Sequence, residues 1–474
     1  MSTANAAENG LNLPPDFSLK LCENIATWRY EDLPESVVRM LKFFLIDTLG
    51  VIGGASKAPG IAELNQRLSR WESSGSATGL VGGRRYSPPT AAMANGAAAH
   101  ALDFDDMHDF GRVHTNCVVL PTLLATAQDI GAVSGKDFLL ALAIGTELHA
   151  RLGLACYDSL GKGWHPTMVL GTLAASLAAG RLLKLDAEGL RNALGMAYHQ
   201  ASGSAQSMRD GVISKRLGPG FAARAAVVGA FLAADGLTGT RESLEGSAGL
   251  FALYERNQVK PELLMDGLGK TWRIDEYSFK PYPGCRCNHT SIGIAIGLHN
   301  EGIVAEDIET VEIRMGEVNW LTVGIPYEVS RDSVVHAQFN VSYSFARALI
   351  DGEVGLHSYQ RPAISDPRVV ALAEKVRVVV DTTIGKTEIA PATIKLTFKD
   401  GRTMTVQKTT IKGSQQEPMT DQELLTKFRG CLSYGMNAAP DDANRLAQTI
   451  LNLENQVDAV GVMMWAFPKA PAGC

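Results

Sequence analysis

The residues able to do chemistry in this chain crowd into one stretch. Ala101–Pro121 reads ALDFDDMHDFGRVHTNCVVLP and brings Asp103, Asp105, Asp106, His108, Asp109 and His114 together. It is wedged between an Ala-rich segment, TAAMANGAAAHAL, and an apolar one, CVVLPTLLATA. The expectation is a chain that leaves one buried helix and enters another, with the polar residues lining the break. Loops held by rigid helices often carry catalytic groups. Three readings stay open at this level. Asp103 and His114 form a general acid/base site; or Asp105, Asp106 and Asp109, at DDxxD spacing, hold a metal or a diphosphate; or the acids are helix caps and solvated charges.

Other polar residues stand at similar breaks. His165 lies in GKGWHPTMVLG, where Pro166 suits a first helical turn. Lys215 and Arg216 precede GPGFAARAA, and Lys280 lies in FKPYPGCRCNH, followed by Arg286, Asn288 and His289 just before SIGIAIGL. Basic residues beside free backbone N–H groups at a helix start make an anion site. Each alone reads as a surface or capping residue. Together, three basic clusters on Gly/Pro-rich breaks fit one acidic substrate. Cys285 and Cys287 form a CxC without a second Cys/His cluster, a weak metal signal.

These groups must be positioned by a chain of 474 residues, long enough to divide into two domains. Hydrophobic residues make up 46% and charged residues 20%, as in a soluble globular protein, and the net charge of −6 argues against nucleic acid as a partner. Seven scattered cysteines and no secretory leader predict a reduced, cytoplasmic protein, with Met1–Pro15 as a loose tail. No apolar run reads as a membrane span; the best candidate, Thr167–Ala179, reads as an internal helix.

Apolar residues recur at helical spacing over Asp16–Trp28, Pro34–Gly50, Thr90–Leu102, Leu120–Ile130, Lys136–Leu154, Pro166–Leu185, Ala187–Gln200 and Phe221–Ala234, with a short strand near Thr78–Gly83. Many of these segments are rich in Ala and Gly, so close helix packing is expected. The pattern changes near Thr271. Val311–Met315, Val376–Val380, Ala392–Phe398 and Thr403–Lys408 alternate as strands, with Asp400-Gly401 as a hairpin turn. Helices are expected between them at Ser291–Asn300, Asn340–Ile350 and Pro367–Glu374, and again at Asp421–Arg429 and Asp441–Leu453. The predicted fold class is mainly α with an inserted α+β domain: a discontinuous helical domain, 1–270 and 413–474, and an α+β lid, 271–412.

The segments GAAAHALDFDD, HTNCVVLP, GWHPTMVLGTLAA, SKRLGPGFAAR, FKPYPGCRCNH and ARALIDGEVGL resemble the MmgE/PrpD family of 2-methylcitrate dehydratases, cis-aconitate decarboxylases and iminodisuccinate epimerases. The resemblance implies a helical domain with a smaller lid, a homodimer, and neither metal nor organic cofactor. It assigns catalytic roles to Asp103, His114, His165, Lys215 and Lys280; Trp320, and from the basic cluster Arg286 and His289, are expected to bind substrate. Three positions depart from the pattern: Gly218 where members often have His, Trp320 where decarboxylases can carry Tyr, and Met107 where some have Thr. The implied activity is a lyase acting beside a carboxylate of a di- or tricarboxylic acid, first of all dehydration of a citrate-like 3-hydroxy acid. Decarboxylation or epimerisation at the same site, or a carboxylate-binding protein without catalysis, are the alternatives.

Overall fold

The computed structural model describes residues 13–467, so most of the predicted N-terminal tail lies outside the described residues. Leaving aside short turns, the helices are α1 Phe17–Ala26, α2 Glu35–Gly54, α3 Ile61–Trp71, α4 Pro88–His100, α5 Asn116–Ile130, α6 Gly135–Ala155, α7 Pro166–Leu182, α8 Ala187–Tyr198 and α9 Ser214–Ala234. After the crossover come α10 His289–Asn300, α11 Glu317–Val323, α12 Val341–Asp351 and α13 Pro367–Ala373, then α14 Asp421–Met436 and α15 Pro440–Leu451. The strands are β1 Ala77–Thr78, β2 Arg85–Tyr86, β3 Met107–His108, β4 Tyr277–Ser278, β5 Ile308–Met315, β6 Val376–Val380, β7 Ala392–Phe398 and β8 Thr403–Lys408. The fold is mainly helical, with a smaller α+β part.

Small residues set the helical packing. Where α4 crosses α9, a Cβ on Gly96 would lie 2.9 Å from the Gly220 Cα, and one on Gly220 would lie 2.3 Å from the Met93 carbonyl oxygen. The two backbones therefore touch, and the start of α9 is pressed against the end of α4. The C-terminal helix α14 returns to the same core, where Gly50 and Gly53 of α2 leave room for Phe428 and Leu432. Two helices, α6 and α9, are long and apolar enough to cross a membrane, contrary to the sequence expectation. Their apolar length serves burial: the most apolar stretch of α6 is 94% buried inside the protein and that of α9 61%.

The α+β part has a four-stranded sheet in the order β6-β5-β7-β8, with β5 and β6 parallel and the other pairs antiparallel. Gly401 takes φ +87° in the β7–β8 turn, which suits glycine. Ile313, Ile394 and Leu396 of the sheet pack in one cluster with Ile292, Phe345, Leu349 and Leu372 of the covering helices. Ile274, Tyr277 and Phe279 pack in the helical core, and this second core begins at Cys285, so the change of core falls later than the change of composition near Thr271.

Candidate functional site

Asp103 stands three residues beyond α4, in the left-handed region at φ +52°, a conformation uncommon outside glycine and Asn/Asp. Its carboxylate accepts from two lysines. Lys215, in the first turn of α9, donates to Oδ2; Lys280 Nζ lies 3.3 Å from Oδ1 and 2.9 Å from the Asp103 carbonyl oxygen. The α4–α9 crossing delivers Lys215. A two-residue ladder delivers Lys280: β3, inside the acidic stretch, pairs with β4, with Met107 opposite Ser278 and His108 opposite Tyr277. The following turn then closes over the site as Gly284 N–H donates to the Asp103 carbonyl at 2.9 Å. Burial opposes ionisation of Asp103, yet the two ammonium groups hold its carboxyl well below the usual range.

Two histidines share a cavity of about 150 Å³ with this triad. His114 Nδ1 lies 2.8 Å from the Asp106 carbonyl oxygen. A carbonyl only accepts, so Nδ1 carries the hydrogen and Nε2 keeps the lone pair. His165 stands at the N-cap position of α7; its backbone N–H donates to the Gly203 carbonyl at 2.8 Å, and its Nδ1 is buried without a partner among the described residues. Burial pushes both rings below the usual histidine range, His165 to about 3, and both are neutral at pH 7. His149 shows the contrasting case: it is buried in α6 with Nδ1 3.0 Å from the Thr115 hydroxyl, a structural histidine away from the cavity.

The acids of the stretch have different partners. Asp103 lines the cavity with the two lysines. Asp106 accepts from the backbone N–H groups of Thr115 (3.3 Å) and Asn116 (3.2 Å) and so caps α5. Burial, with Asp105 and Asp47 nearby, pushes its carboxyl up to about 8. Asp109 pairs with Arg286 at 3.2 Å and accepts from Ser278. Asp105, Asp106 and Asp109 therefore reach different partners and do not converge as a diphosphate or metal motif would require. A different set does converge: one ligand atom each from His100, Asp105 and Cys117 lie within 4.8 Å of one another, all buried. None of the three lines the cavity.

His100 is not singled out from sequence, and Asp105 only as a member of the DDxxD spacing. The Asp105 carboxylate lies between two rings, 2.8 Å from His100 Nδ1 and 3.5 Å from His114 Nδ1. The His100 ring stands 5.1 Å from His114 and 6.3 Å from His165 between centroids. The available signal was a lone ionisable residue in an otherwise Ala-rich helix end, AAAHAL, five positions before Asp105. Lys427 was also missed. From α14 it holds Asp47 at 2.6 Å and the Phe104 carbonyl at 2.6 Å, anchoring the loop from below.

Three expected binding residues are placed differently. Arg286 lines the cavity, but its guanidinium is committed to Asp109 and, at 2.6 Å, to the Lys412 carbonyl. His289 is buried behind it, against the Tyr282 ring at 5.5 Å, and does not reach the cavity. On α11, Val318 and Thr322 line the cavity while Trp320, two residues from each, is 39% exposed. Helical periodicity turns Trp320 to the opposite face. The departure at Gly218 also has a structural answer: a Cβ there would lie 2.4 Å from Met168 Sδ, so Met168 occupies the space a larger residue would need.

The MmgE/PrpD N-terminal domain matches residues 19–262 and the MmgE/PrpD C-terminal domain residues 282–453. A cis-aconitate decarboxylase-like protein of Aspergillus oryzae is 29% identical over 94% of this chain and 95% of its own length. The cis-aconitate decarboxylase of Aspergillus terreus is 28% identical over 88% of this chain and 89% of its own. That of Homo sapiens is 29% identical, with 90% and 89% covered.

Proposed function

Because the chain belongs to the MmgE/PrpD family, with decarboxylases among its relatives, we propose a cofactor-independent lyase that breaks a bond beside a carboxylate of a di- or tricarboxylic acid. One observation carries the reading: two ammonium groups converge on one carboxylate, Asp103, in a cavity that also holds two neutral imidazoles. A substrate carboxylate competes for the same ammonium groups that Asp103 now engages. Removing a proton beside that carboxylate builds charge on its oxygens, and Lys215 and Lys280 stabilise the charge as it develops. His114, with its Nε2 lone pair, is suited to accept that proton. His165 is suited to receive and return the second one. The substrate's negative charge raises both imidazole pKa values toward neutrality, where proton transfer is most effective.

Dehydration of a citrate-like 3-hydroxy acid uses both transfers: one histidine takes the proton from carbon, the other, protonated from solvent once the substrate's charge has raised its pKa, gives that proton to the departing hydroxide, and water leaves. The pair of imidazoles favours this reaction. The names of the relatives favour a second, loss of carbon dioxide from a cis-aconitate-like acid, where a single histidine returns a proton to carbon. We also propose a homodimer, which the family resemblance supports, acting in the cytoplasm, for which the scattered cysteines argue.

The test is a panel of citrate, 2-methylcitrate, cis-aconitate and iminodisuccinate followed by NMR in deuterated water. Loss of water or carbon dioxide identifies the reaction. Binding without turnover or deuterium exchange for any acid would leave a carboxylate-binding protein and overturn the lyase reading.

A further inference from the structure

The cavity is lined by four cations, and three of them already face acids: Lys215 and Lys280 share Asp103, and Arg286 pairs with Asp109. The fourth, Arg112, has no carboxylate partner among the described residues. Its guanidinium donates to the Tyr157 hydroxyl at 2.6 Å and to the Thr387 carbonyl at 2.8 Å, and sits 4.5 Å from the centre of the Tyr157 ring. That ring packs on Gly161, where a Cβ would lie 2.7 Å from it, so the platform beneath Arg112 admits no larger residue. The Arg112 backbone is itself in the left-handed region, at φ +53°. Non-glycine residues keep that conformation where the surroundings impose it.

We propose that Arg112 is the receptor for a second carboxylate of the substrate, the one remote from the reacting carbon, and so selects tricarboxylates over dicarboxylates. The inference rests on the lyase reading above. With Asp103 and Asp109 each offsetting one cation, the wall keeps an excess of positive charge that a polyanion neutralises. Lys215 and Lys280 hold the reacting end. Arg112, between the acidic stretch, the 157–164 loop and the loop at Thr387, holds the other. A guanidinium presents a planar fork that matches a carboxylate in two-point contact, which an ammonium does not.

Two unreactive probes differ by this one group: propane-1,2,3-tricarboxylate and 2-methylbutanedioate, where a methyl replaces one terminal carboxymethyl arm. Titration calorimetry with wild type, Arg112→Gln and Arg112→Lys measures both. The expected result is a loss of about 10- to 100-fold in affinity for the tricarboxylate in Arg112→Gln, with the dicarboxylate within about twofold of wild type. Arg112→Lys should fall between them. Equal weakening of both probes would make Arg112 only a latch between Tyr157 and Thr387 and overturn the inference, as would no weakening in either variant. If wild type binds neither acid, the lyase reading fails and the inference with it; selective binding by wild type that survives Arg112→Gln removes Arg112 alone.

Discussion

The two sides of the cavity are built by different rules. The helical side supplies Asp103, His114, His165 and Lys215, held by a backbone-to-backbone crossing of α4 and α9. The α+β side supplies mostly apolar wall: Val318 and Thr322 from α11, with Phe339 and Ile389. Lys280 belongs to neither cleanly; it follows β4, which pairs with β3 of the acidic stretch, and is thereby fastened to the helical side. Buried charges need rigid, fully partnered surroundings because an unpaired buried charge is costly. A wall that only shapes the pocket can tolerate change. On the proposed reading the comparison gives the proton transfers to the helical side, together with the Arg112 contact, and leaves the shape of the remaining wall to the other.

The largest expected effect tests the first half. His114→Gln or His165→Gln should slow turnover by roughly 10²–10⁴-fold, the range for losing a general acid or base. Measured on the same samples, the folded fraction should be unchanged at pH 7, because Gln replaces a ring that is already neutral. The pH response of stability should change in His165→Gln. The native ring titrates at about 3 and an unfolded one near 6.5, so wild type loses stability as pH falls through that window. The variant should lose about 1.4 kcal/mol less per pH unit there. Full specific activity in both folded variants would take the histidines out of the reaction.

A smaller effect probes the crossing. Gly220→Ala forces a methyl against the Met93 carbonyl and should separate α9 from α4, with a stability loss of about 1–3 kcal/mol. The shift carries Lys215 away from Asp103, and a displacement near 1 Å can cost about 100-fold in kcat/KM. Gly293 on α10, on the other side, has nothing within 4 Å of its added Cβ. Gly293→Ala should keep activity and gain about 0.5–1 kcal/mol from helix propensity. Similar losses in the two variants, by melting and steady-state kinetics, would erase the distinction between the sides.

The same contrast explains what the sequence reveals. Val376–Val380, Ala392–Phe398 and Thr403–Lys408 are read to the residue, because strand alternation and the Asp400-Gly401 turn are local signals. Helix α9 begins seven residues before the predicted Phe221, since Gly218-Pro219-Gly220 reads as a break. Those residues stay helical because tertiary contact with α4 outweighs their poor propensity. Helices α3 and α11 were not read at all. Asp103, His114, His165, Lys215 and Lys280 stand out in the sequence by type, position and family resemblance, but the contacts that bring them together, the β3–β4 ladder and the α4–α9 crossing, do not. Which acid of the cluster does what was also hidden: Asp106 caps a helix that starts only ten residues on, whereas Asp103 pairs with lysines 112 and 177 residues away.

On the wall, Thr322→Ala should leave kcat within about threefold and change the ratio of KM values between two tricarboxylates by a few fold, the scale of losing about one methyl contact or hydroxyl. A fall of a hundredfold in kcat would mean that the α+β side takes part in the chemistry, contrary to the division drawn above.

The smallest expected effect is none. Exhaustive chelation should leave activity intact, although His100, Asp105 and Cys117 place three ligand atoms within 4.8 Å behind His114. In the structure two hydrogen bonds already engage these groups. His100 Nδ1 lies 2.8 Å from the Asp105 carboxylate, and the Cys117 thiol donates to the His114 carbonyl at 3.3 Å. Burial, with Asp105 and Asp106 close by, keeps that thiol well above its usual pKa and so protonated. A thiolate-binding cation would have to displace both hydrogen bonds and the thiol proton, and proton release on binding would make its affinity depend steeply on pH. Activity that chelation abolishes and zinc restores, with loss of the response in Cys117→Ser, would put a metal behind His114. The helical side would then act through a cation, and the pair of neutral imidazoles would no longer suffice as its chemistry.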